Sequence, residues 1–295
     1  SIGEPQSNDR VSIFPLYWPE PSAPDYCLLS QAISENLAVV EEASENGDVP
    51  SLRLTSRCDR PILVPEGEIL VGAKQNRVVN VTVLVAPFAK FSLPVSCVEQ
   101  GRWRYQSREF ASAACCAPPS LRSKKTRSVQ RSRELTGSME SDQGQVWDEV
   151  AEGLRAFGVH SHTRSLADGF AAVEEELQGY HAEFSLPEHT AGVVVTTGSR
   201  IIGMDLFDSS ETLSAVWDRL SRAYFFDALR GRKQDCRASR SAVEQFLARI
   251  AGHARRRFPA AGMGDELEIA ADGIVGAALL HSGRICHLAA FSEQT

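Results

Sequence analysis

Residues 78–98 read VVNVTVLVAPFAKFSLPVSCV, two apolar runs separated by a short turn-like segment. In the first run, Val78–Val85, at least every second residue is valine. In the second run, Lys90–Val98, apolar residues alternate with polar ones as far as Val95. Successive side chains of a strand point to opposite faces, so each run presents an apolar face. The segment APFA between them is compatible with a turn, and the pattern therefore predicts a β-hairpin.

Pairing the two apolar faces gives the register of this hairpin. A slip of one residue would place valines opposite serines, which the pattern disfavours. Continued toward Gln75, the same register places polar residues on the apolar face, where unpaired polar groups are costly to bury. We therefore expect these polar residues either to satisfy one another or to line a polar pocket at the rim of the core. The predicted opposite pairs are Val83 with Phe91, Val81 with Leu93, Val79 with Val95, Arg77 with Cys97, and Gln75 with Glu99.

Two interpretations of this polar end remain open from the residues alone. Arg77 and Glu99 could form a structural ion pair, with Cys97 as a small core residue. Alternatively, Glu99 is an acid/base candidate, while Arg77 and Arg102 suit an anionic group because guanidinium binds phosphate or carboxylate bidentately. A neighbouring arginine would lower the pKa of the Cys97 thiol, although no histidine lies nearby in sequence to act as its base. Arg102 and the adjacent Trp103 could complete such a pocket.

Short β-type runs separated by Gly, Pro, Asn and Asp fill most of the first hundred residues, and helical patterns follow Trp103. The order of strands, helices, strands, helices and strands predicts an α+β fold. We expect a β-rich subdomain, an antiparallel sandwich or barrel-like sheet, at residues 1–105, and a helical and mixed portion at 106–295 packed with it as one compact unit. Further predicted strands are Val11–Leu16, Tyr26–Leu29, Leu37–Glu42, Ser51–Ser56, Pro61–Val64, Gly192–Thr196, Arg200–Phe207, Leu267–Ala271, Ile274–His281 and Ile285–Phe291. Predicted helices are Ser30–Asn36, Ser120–Leu135, Gly144–Phe157 with a cap at Ser141–Asp142, Leu166–Leu177, a helix opened by Asp208–Glu211 and extending to Leu229, and Ser241–His253.

The composition is typical of a soluble globular protein, with 43% hydrophobic and 23% charged residues among 295. It argues against collagen-like, fibrous and disordered classes, and no apolar run approaches the length of a membrane span. The net charge of -7 disfavours a general nucleic-acid binder. Seven scattered cysteines and a first stretch unlike a signal peptide favour a reduced, cytoplasmic protein over a disulfide framework.

The charge is uneven along the chain. Residues 101–136 contain nine Lys or Arg but only two acidic residues. Such a segment on an acidic protein can attract an anionic ligand, and it can equally be the solvated face of a helix. Both interpretations stay open from the sequence.

Several common catalytic motifs are absent, including those of zinc proteases, serine hydrolases, paired-cysteine sites and dinucleotide-binding loops. Residues Gly67–Lys74 approach a phosphate-binding loop, but the lysine comes one place late and no Ser or Thr follows it. His160 and His162 could chelate a metal on a strand, although a solvated loop is the simpler interpretation. No cofactor is evident, and the pattern leaves metal dependence undecided.

Four stretches resemble the ARG- and rhodanese-phosphatase-superfamily-associated protein domain family, over roughly residues 10–291. They are GEILVGAKQNR at 67–77, PVSCVEQGRW at 94–103, SDQGQVW at 141–147 and HLAAF at 287–291. The family name refers to ADP-ribosylglycohydrolases and Cys-type phosphatases. The resemblance therefore implies a context of ADP-ribose, NAD or phosphorylated metabolites, which is an association and not a mechanism.

The resemblance implies that the site lies at the polar end of the predicted hairpin. One hypothesis is an enzyme acting on an anionic nucleotide- or sugar-phosphate-like substrate, as a glycosidic-bond hydrolase or transferase using two carboxylates. A second is a non-catalytic binding or sensor module for the same ligand class. A third is a structural subunit, and the sequence is compatible with a homo-oligomer. Asp142, Gln143 and Trp147 could close the pocket or serve only in capping and packing. The expected catalytic residues are Glu99, Cys97 and Glu68, and the expected substrate-binding residues are Arg77, Gln75, Lys74, Asn76, Arg102 and Trp103. The resemblance also implies Gly72 as a site residue.

Overall fold

The computed structural model describes residues 1–18, 23–44, 47–231 and 237–293, and this part of the chain contains 17 strands and seven helices. The strands are β1 (Gln6–Ser7), β2 (Val11–Leu16), β3 (Cys27–Leu28), β4 (Ala38–Glu42), β5 (Ser51–Ser56), β6 (Ile62–Val64), β7 (Glu68–Gly72), β8 (Arg77–Val79), β9 (Val83–Val85), β10 (Lys90–Cys97), β11 (Phe110–Cys116), β12 (Gly192–Thr197), β13 (Arg200–Phe207), β14 (Ala254–Pro259), β15 (Asp265–Ala271), β16 (Ile274–His281) and β17 (Arg284–Ser292). The helices are α1 (Leu29–Ser34), α2 (Pro119–Thr136), α3 (Gln143–Ala156), α4 (Leu166–Ala172), α5 (Glu174–Glu183), α6 (Ser210–Arg230) and α7 (Arg240–His253).

Three sheets organise these elements, and the α+β prediction is confirmed. An eight-stranded sheet has the order β1-β2-β12-β13-β17-β16-β15-β14, a six-stranded sheet has the order β11-β7-β8-β10-β5-β4, and a three-stranded sheet has the order β3-β6-β9. Strand pairing is antiparallel except between β3 and β6. The first two strands join the eight-stranded sheet, while β11 joins the six-stranded one, so strands cross the boundary expected near residue 105. That boundary stays a prediction.

Most predicted helices begin and end within two residues of their expected bounds, but one is wrong. The predicted helix Leu166–Leu177 is two helices, α4 and α5, separated at Val173, whose φ of -121° and ψ of 22° are not helical. Three consecutive glutamates, Glu174–Glu176, then occupy the first turn of α5. Negative side chains favour a helix N-terminus, which explains why a new helix starts there. None of the helices in the described ranges combines the length and apolar character that a membrane span requires.

Strands β11 and β14 were not expected from the sequence. Apart from Phe110, the sequence of β11, FASAACC, lacks the β-branched and aromatic residues by which strands are recognised. The sequence of β14, ARRRFP, carries three consecutive arginines and no alternation. Both strands pair through their backbones with neighbours that the local pattern cannot reveal.

The predicted hairpin is half right. Strand β8 pairs with β10 in the expected register, with Val79 opposite Val95 and Arg77 opposite Cys97. The other half is wrong, because β9 leaves β10 and pairs with β6, where Val83 lies opposite Val64. The first residues of β10, which were expected to pair with Val81 and Val83, pair with β5 instead.

The residues between β8 and β9 explain why the hairpin divides. The carbonyl oxygen of Asn80 accepts a hydrogen bond from Lys125 Nζ at 2.6 Å, and the Thr82 hydroxyl accepts one from the Glu66 backbone N–H at 3.1 Å. These buried contacts turn the chain away from β10. Because the valines are buried on either path, their alternation alone cannot distinguish the two arrangements.

A buried network of charged side chains connects the sheets through α2. Arg122 donates to both carboxylate oxygens of Asp205 on β13, at 2.9 and 2.6 Å, and its Nε donates to Glu66 at 2.7 Å. Lys125, one turn along, donates to the other oxygen of Glu66 at 2.8 Å. All four side chains are buried. The basic segment therefore supplies core ion pairs, which neither sequence interpretation anticipated.

Asp205 is the centre of this network. Besides Arg122, it accepts hydrogen bonds from the Tyr224 hydroxyl on α6 at 2.6 Å and bonds with His287 Nε2 on β17 at 2.9 Å. The other ring nitrogen of His287 bonds with the Thr82 hydroxyl at 2.8 Å. Burial would raise the pKa of the Asp205 carboxyl, but Arg122 and His287 outweigh burial and hold that pKa well below its usual range.

We expect Arg122→Met to reduce the free energy of unfolding by about 3–5 kcal/mol, because removing one partner leaves buried carboxylates without compensation. Arg131→Met is the matched control, since Arg131 is an exposed arginine of the same helix, and it should change the free energy by less than about 0.5 kcal/mol. Urea unfolding of both variants measures the difference. Equal losses would show that the Arg122 network does not stabilise the fold.

The same network predicts a loss of stability in acid. The pKa values of Asp205 and Glu66 lie below their usual range in the folded protein, so the unfolded chain binds more protons as the pH falls. Stability should be complete above the ordinary carboxyl range of about pH 4–5 and should decline as the pH falls further toward the depressed pKa values. Urea unfolding at several pH values measures this slope. Asp205→Asn should flatten it, and an unchanged slope would contradict the assignment.

Candidate functional site

A tight loop, residues 73–76, joins β7 to β8 at the centre of the family motif. Gly72 has a φ of +128°, and a Cβ there would lie 2.5 Å from Ser107 Oγ and 2.7 Å from the Glu109 carbonyl oxygen, so only glycine fits. Ala73 also has a positive φ, of 37°, which is uncommon for a residue with a side chain. Its backbone N–H donates to Ser107 Oγ at 3.0 Å, which helps to hold this conformation.

Arg102 holds this loop in place through hydrogen bonds. Its guanidinium donates to the carbonyl oxygens of Ala73 at 2.7 Å and Gly72 at 3.2 Å, to Asn76 Oδ1 at 3.1 Å, and to Glu99 Oε2 at 2.7 Å. Glu99 Oε2 also accepts from the Asn76 backbone N–H at 3.2 Å. The expected anion-binding Arg102 and the expected acid/base Glu99 are therefore joined to each other, and both position the loop.

Arg77 lies at the first position of β8, with no exposed surface. Its Nη1 donates to the carbonyl oxygen of Gln75 at 3.4 Å and to Gln75 Oε1 at 3.1 Å. Its Nε and Nη2 have no hydrogen-bond partner. Glu42 Oε2 lies 3.7 Å from Nη2, too far for a hydrogen bond, and this oxygen also lacks a hydrogen-bond partner. Unsatisfied buried groups of this kind are rare, so they require an explanation.

Cys97 lies opposite Arg77 and is fully buried. Its sulfur donates to Gln75 Oε1 at 3.0 Å. Burial raises the pKa of the Cys97 thiol to about 11, and the opposing effect of Arg77 is smaller. Arg77 does lower this pKa, as expected, but burial outweighs it, so the thiolate is not favoured and the group is a neutral thiol near pH 7. The Gln143 side chain clamps the Cys97 backbone through two 2.8 Å hydrogen bonds.

Two half-exposed aromatic rings lie next to the buried Lys74 side chain at the outer side of the site. Lys74 Nζ lies 5.4 Å from the ring centroid of Trp103 and 5.1 Å from that of Tyr105, within the range of cation–π contacts. The Arg77 guanidinium carbon lies 5.8 Å from the Trp103 ring. Trp103 and Tyr105 are about half exposed, at 49% and 52%, so their rings are accessible from solvent.

An open cleft of about 640 Å³ lies next to Glu42, which is one of its lining residues. This volume is within the range typical of small-molecule sites, about 300–1,000 Å³. Glu42 belongs to both the cleft and the buried cluster, because its Oε1 accepts from the Lys74 backbone N–H at 3.2 Å while Oε2 approaches Arg77. The cleft is lined by Glu41, Glu42, Ser44, Arg53, Tyr105, Gln106, Ser107 and Arg108.

The structure does not join Glu68 to this group. The Glu68 carboxylate accepts from Ser112 Oγ at 2.7 Å and from Arg219 Nη1 at 2.9 Å, whereas Glu99 accepts from Arg102 and from the Asn76 backbone. Asp142 caps α3 through the Gly144 backbone N–H, which is the structural role considered for it. Within the described ranges, no group of three or more His, Cys, Asp or Glu side chains is arranged to hold a metal ion.

Sequence reasoning missed Glu42 and Tyr105. Tyr105 follows Trp103 by two residues, and this spacing could have indicated a second ring on the same side. Glu42 comes from β4, 32 residues before the lysine whose backbone it contacts, and nothing in its local sequence marks it.

The fold and the site define an α+β protein in which a buried arginine lies behind a carboxylate at the base of an open cleft. Residues 1–291 match the ARG and Rhodanese-Phosphatase-superfamily-associated Protein domain, and the chain belongs to this family. No curated protein and no solved structure matches the chain. The family description records an association with two superfamilies and names neither a substrate nor a reaction.

We expect native Cys97 to react with iodoacetamide at pH 7.5 at least about tenfold more slowly than the same cysteine in the unfolded chain, because a buried thiol with a raised pKa supplies little thiolate. Peptide mass spectrometry of native and guanidinium-unfolded samples measures both rates. Rapid labelling of the native protein would restore Cys97 as a candidate nucleophile.

Proposed function

We propose that this protein binds an anionic nucleotide- or sugar-phosphate-like small molecule in the cleft in front of Glu42 and Arg77. The observation that carries the proposal is the pair of unpaired donors on Arg77, Nε and Nη2, inside a side chain with no exposed surface. These two donors lie along one edge of the planar guanidinium, the arrangement that binds a carboxylate or phosphate bidentately.

The surroundings of Arg77 support a ligand that carries both a ring and an anion. Trp103 and Tyr105 offer half-exposed rings on which a planar or sugar ring can stack. The family's association with the ADP-ribosylglycohydrolase superfamily agrees with ADP-ribose or a related nucleotide.

Binding is better supported than turnover. Glycosidic-bond cleavage of the usual kind needs two carboxylates on either side of the bond. Glu99 is bound to Arg102, Glu68 is bound to Arg219, and Cys97 is a neutral thiol near pH 7. The proposed role is therefore a ligand-binding or sensor module, and a cytoplasmic location is part of the proposal.

Isothermal titration with ADP-ribose, ADP, ribose 5-phosphate and inorganic pyrophosphate tests this proposal. At least one probe should bind, and Arg77→Lys should weaken its affinity by about tenfold, because lysine retains the charge but loses the bidentate edge. Arg53→Lys is the matched control, since Arg53 lines the same cleft but pairs with Glu41, and the affinity of this variant should stay within about twofold of the wild type.

Three outcomes would contradict the proposal. No probe binds the wild type, or Arg77→Lys binds as well as the wild type, or Arg53→Lys loses as much affinity as Arg77→Lys. Mass spectrometry of the incubated probes separates binding from turnover. Conversion that is abolished by Glu99→Gln would instead support the enzymatic hypothesis.

A further inference from the structure

Glu42 and Arg77 form a buried pair of opposite charges at the proposed site, and the geometry of this pair is poor. Both side chains are almost completely inaccessible, at 3% and 0% exposed, and they have opposite charges. Nevertheless, Glu42 Oε2 and Arg77 Nη2 are 3.7 Å apart, and neither atom makes a hydrogen bond. A buried ion pair stabilises a protein only when its geometry is good and its remaining donors and acceptors are satisfied. This pair meets neither condition.

The failure has a geometric cause. Glu42 is held by one oxygen, because Oε1 accepts the backbone N–H of Lys74 at 3.2 Å. The remaining oxygen approaches Arg77 singly, so it cannot satisfy Nε and Nη2 together. The third guanidinium nitrogen is already occupied, because Nη1 donates twice to Gln75. One edge of Arg77 is thus held in place by the protein and left without an adequate acceptor.

Glu42 also lies on the route to that edge. It lines the open cleft together with its neighbour Glu41, and it ends β4, so a change of its side-chain rotamer needs no break in the sheet. An anion that enters the cleft would reach the free edge of Arg77 by taking the place of the Glu42 carboxylate. Such an anion could place one oxygen on Nε and another on Nη2, whereas Glu42 offers a single oxygen that lies 3.7 Å from Nη2.

We infer that Glu42 is a built-in competitor for the ligand's anionic group. In the free protein its carboxylate partly compensates the charge of Arg77, and an incoming carboxylate or phosphate displaces it and binds the free edge of the guanidinium. The inference rests on the proposed function and adds a regulatory role to it. It makes Glu42 a residue that sets affinity by opposing binding, so its removal should strengthen binding.

Glu42→Gln tests this displacement with little change of shape, because the amide oxygen can still accept the Lys74 backbone N–H. In the titration above, Glu42→Gln should bind the best probe about fivefold more tightly than the wild type, or better. The matched control is Glu41→Gln, which removes the same charge from the same cleft but from a residue that pairs with Arg53 and Arg108. Because Glu41 lines the cleft but lies away from Arg77, this variant should gain clearly less affinity than Glu42→Gln.

The outcomes separate this inference from the proposed function. If the wild type binds and Glu42→Gln binds no more tightly, the competitor role is wrong and the binding function stands. If both glutamine variants gain equally, the effect is a general one of cleft charge, and the competitor role is again wrong. If no probe binds any of the three proteins, the proposed function fails and the inference fails with it.

A second measurement does not depend on the identity of the ligand. In Glu42→Ala the carboxylate is gone and Arg77 has an open place before it, so added sodium acetate should raise the melting temperature more than sodium chloride of equal ionic strength. The wild type should show no such difference. Equal responses of the two proteins to acetate would overturn the inference, because the edge of Arg77 would then not accept an external carboxylate in place of Glu42.

Discussion

The bidentate contact between Arg122 and Asp205 is the interaction on which the rest of the structure depends. Arg122 is on α2 and Asp205 is on the eight-stranded sheet, and both side chains are buried. Burying either charge alone would be strongly unfavourable, so α2 can pack only where the carboxylates of Asp205 and Glu66 meet its cations. This requirement determines how the helix is oriented between the sheets. It also determines the path of the chain at Asn80, whose carbonyl oxygen binds Lys125 on the same helix.

The candidate site contrasts with this network in how completely its polar groups are satisfied. The Asp205 carboxylate accepts hydrogen bonds from Arg122 and Tyr224 and is hydrogen-bonded to His287. Its oxygens therefore have no hydrogen-bonding capacity left for a ligand. Arg77 is equally buried but retains two unpaired donors beside an open cleft. A fully satisfied buried cluster stabilises a fold, whereas a partly satisfied one has remaining capacity to bind. The free donors of Arg77, which lie behind a residue that lines a cleft, set it apart from the fully paired Arg122.

Much of the site could be predicted because strand alternation and register are local properties. Arg77 and Cys97 face each other as the apolar pattern required, and Gln75 bonds to both. The roles of Glu99 and Arg102 could not be predicted in the same way. Arg102 is only three residues from Glu99, yet its partners include the carbonyl oxygens of Gly72 and Ala73, and these depend on the positive φ angles of the loop. The raised pKa of Cys97 likewise follows from burial, which outweighs the nearby charge.

The sequence by itself determined the α+β class, the bounds of most helices, the pairing of β8 with β10 and membership of the family, because each depends on patterns within short stretches or on recognisable motifs. Only the tertiary structure decided that β9 leaves the hairpin, that the basic segment supplies core ion pairs, and that Glu42 lies before Arg77. The partners in these contacts come from distant parts of the chain, such as Arg122 and Asp205, which are 83 residues apart. The packing of the sheets and α2 decides which distant charges come into contact. The local alternation of apolar and polar residues does not indicate these contacts.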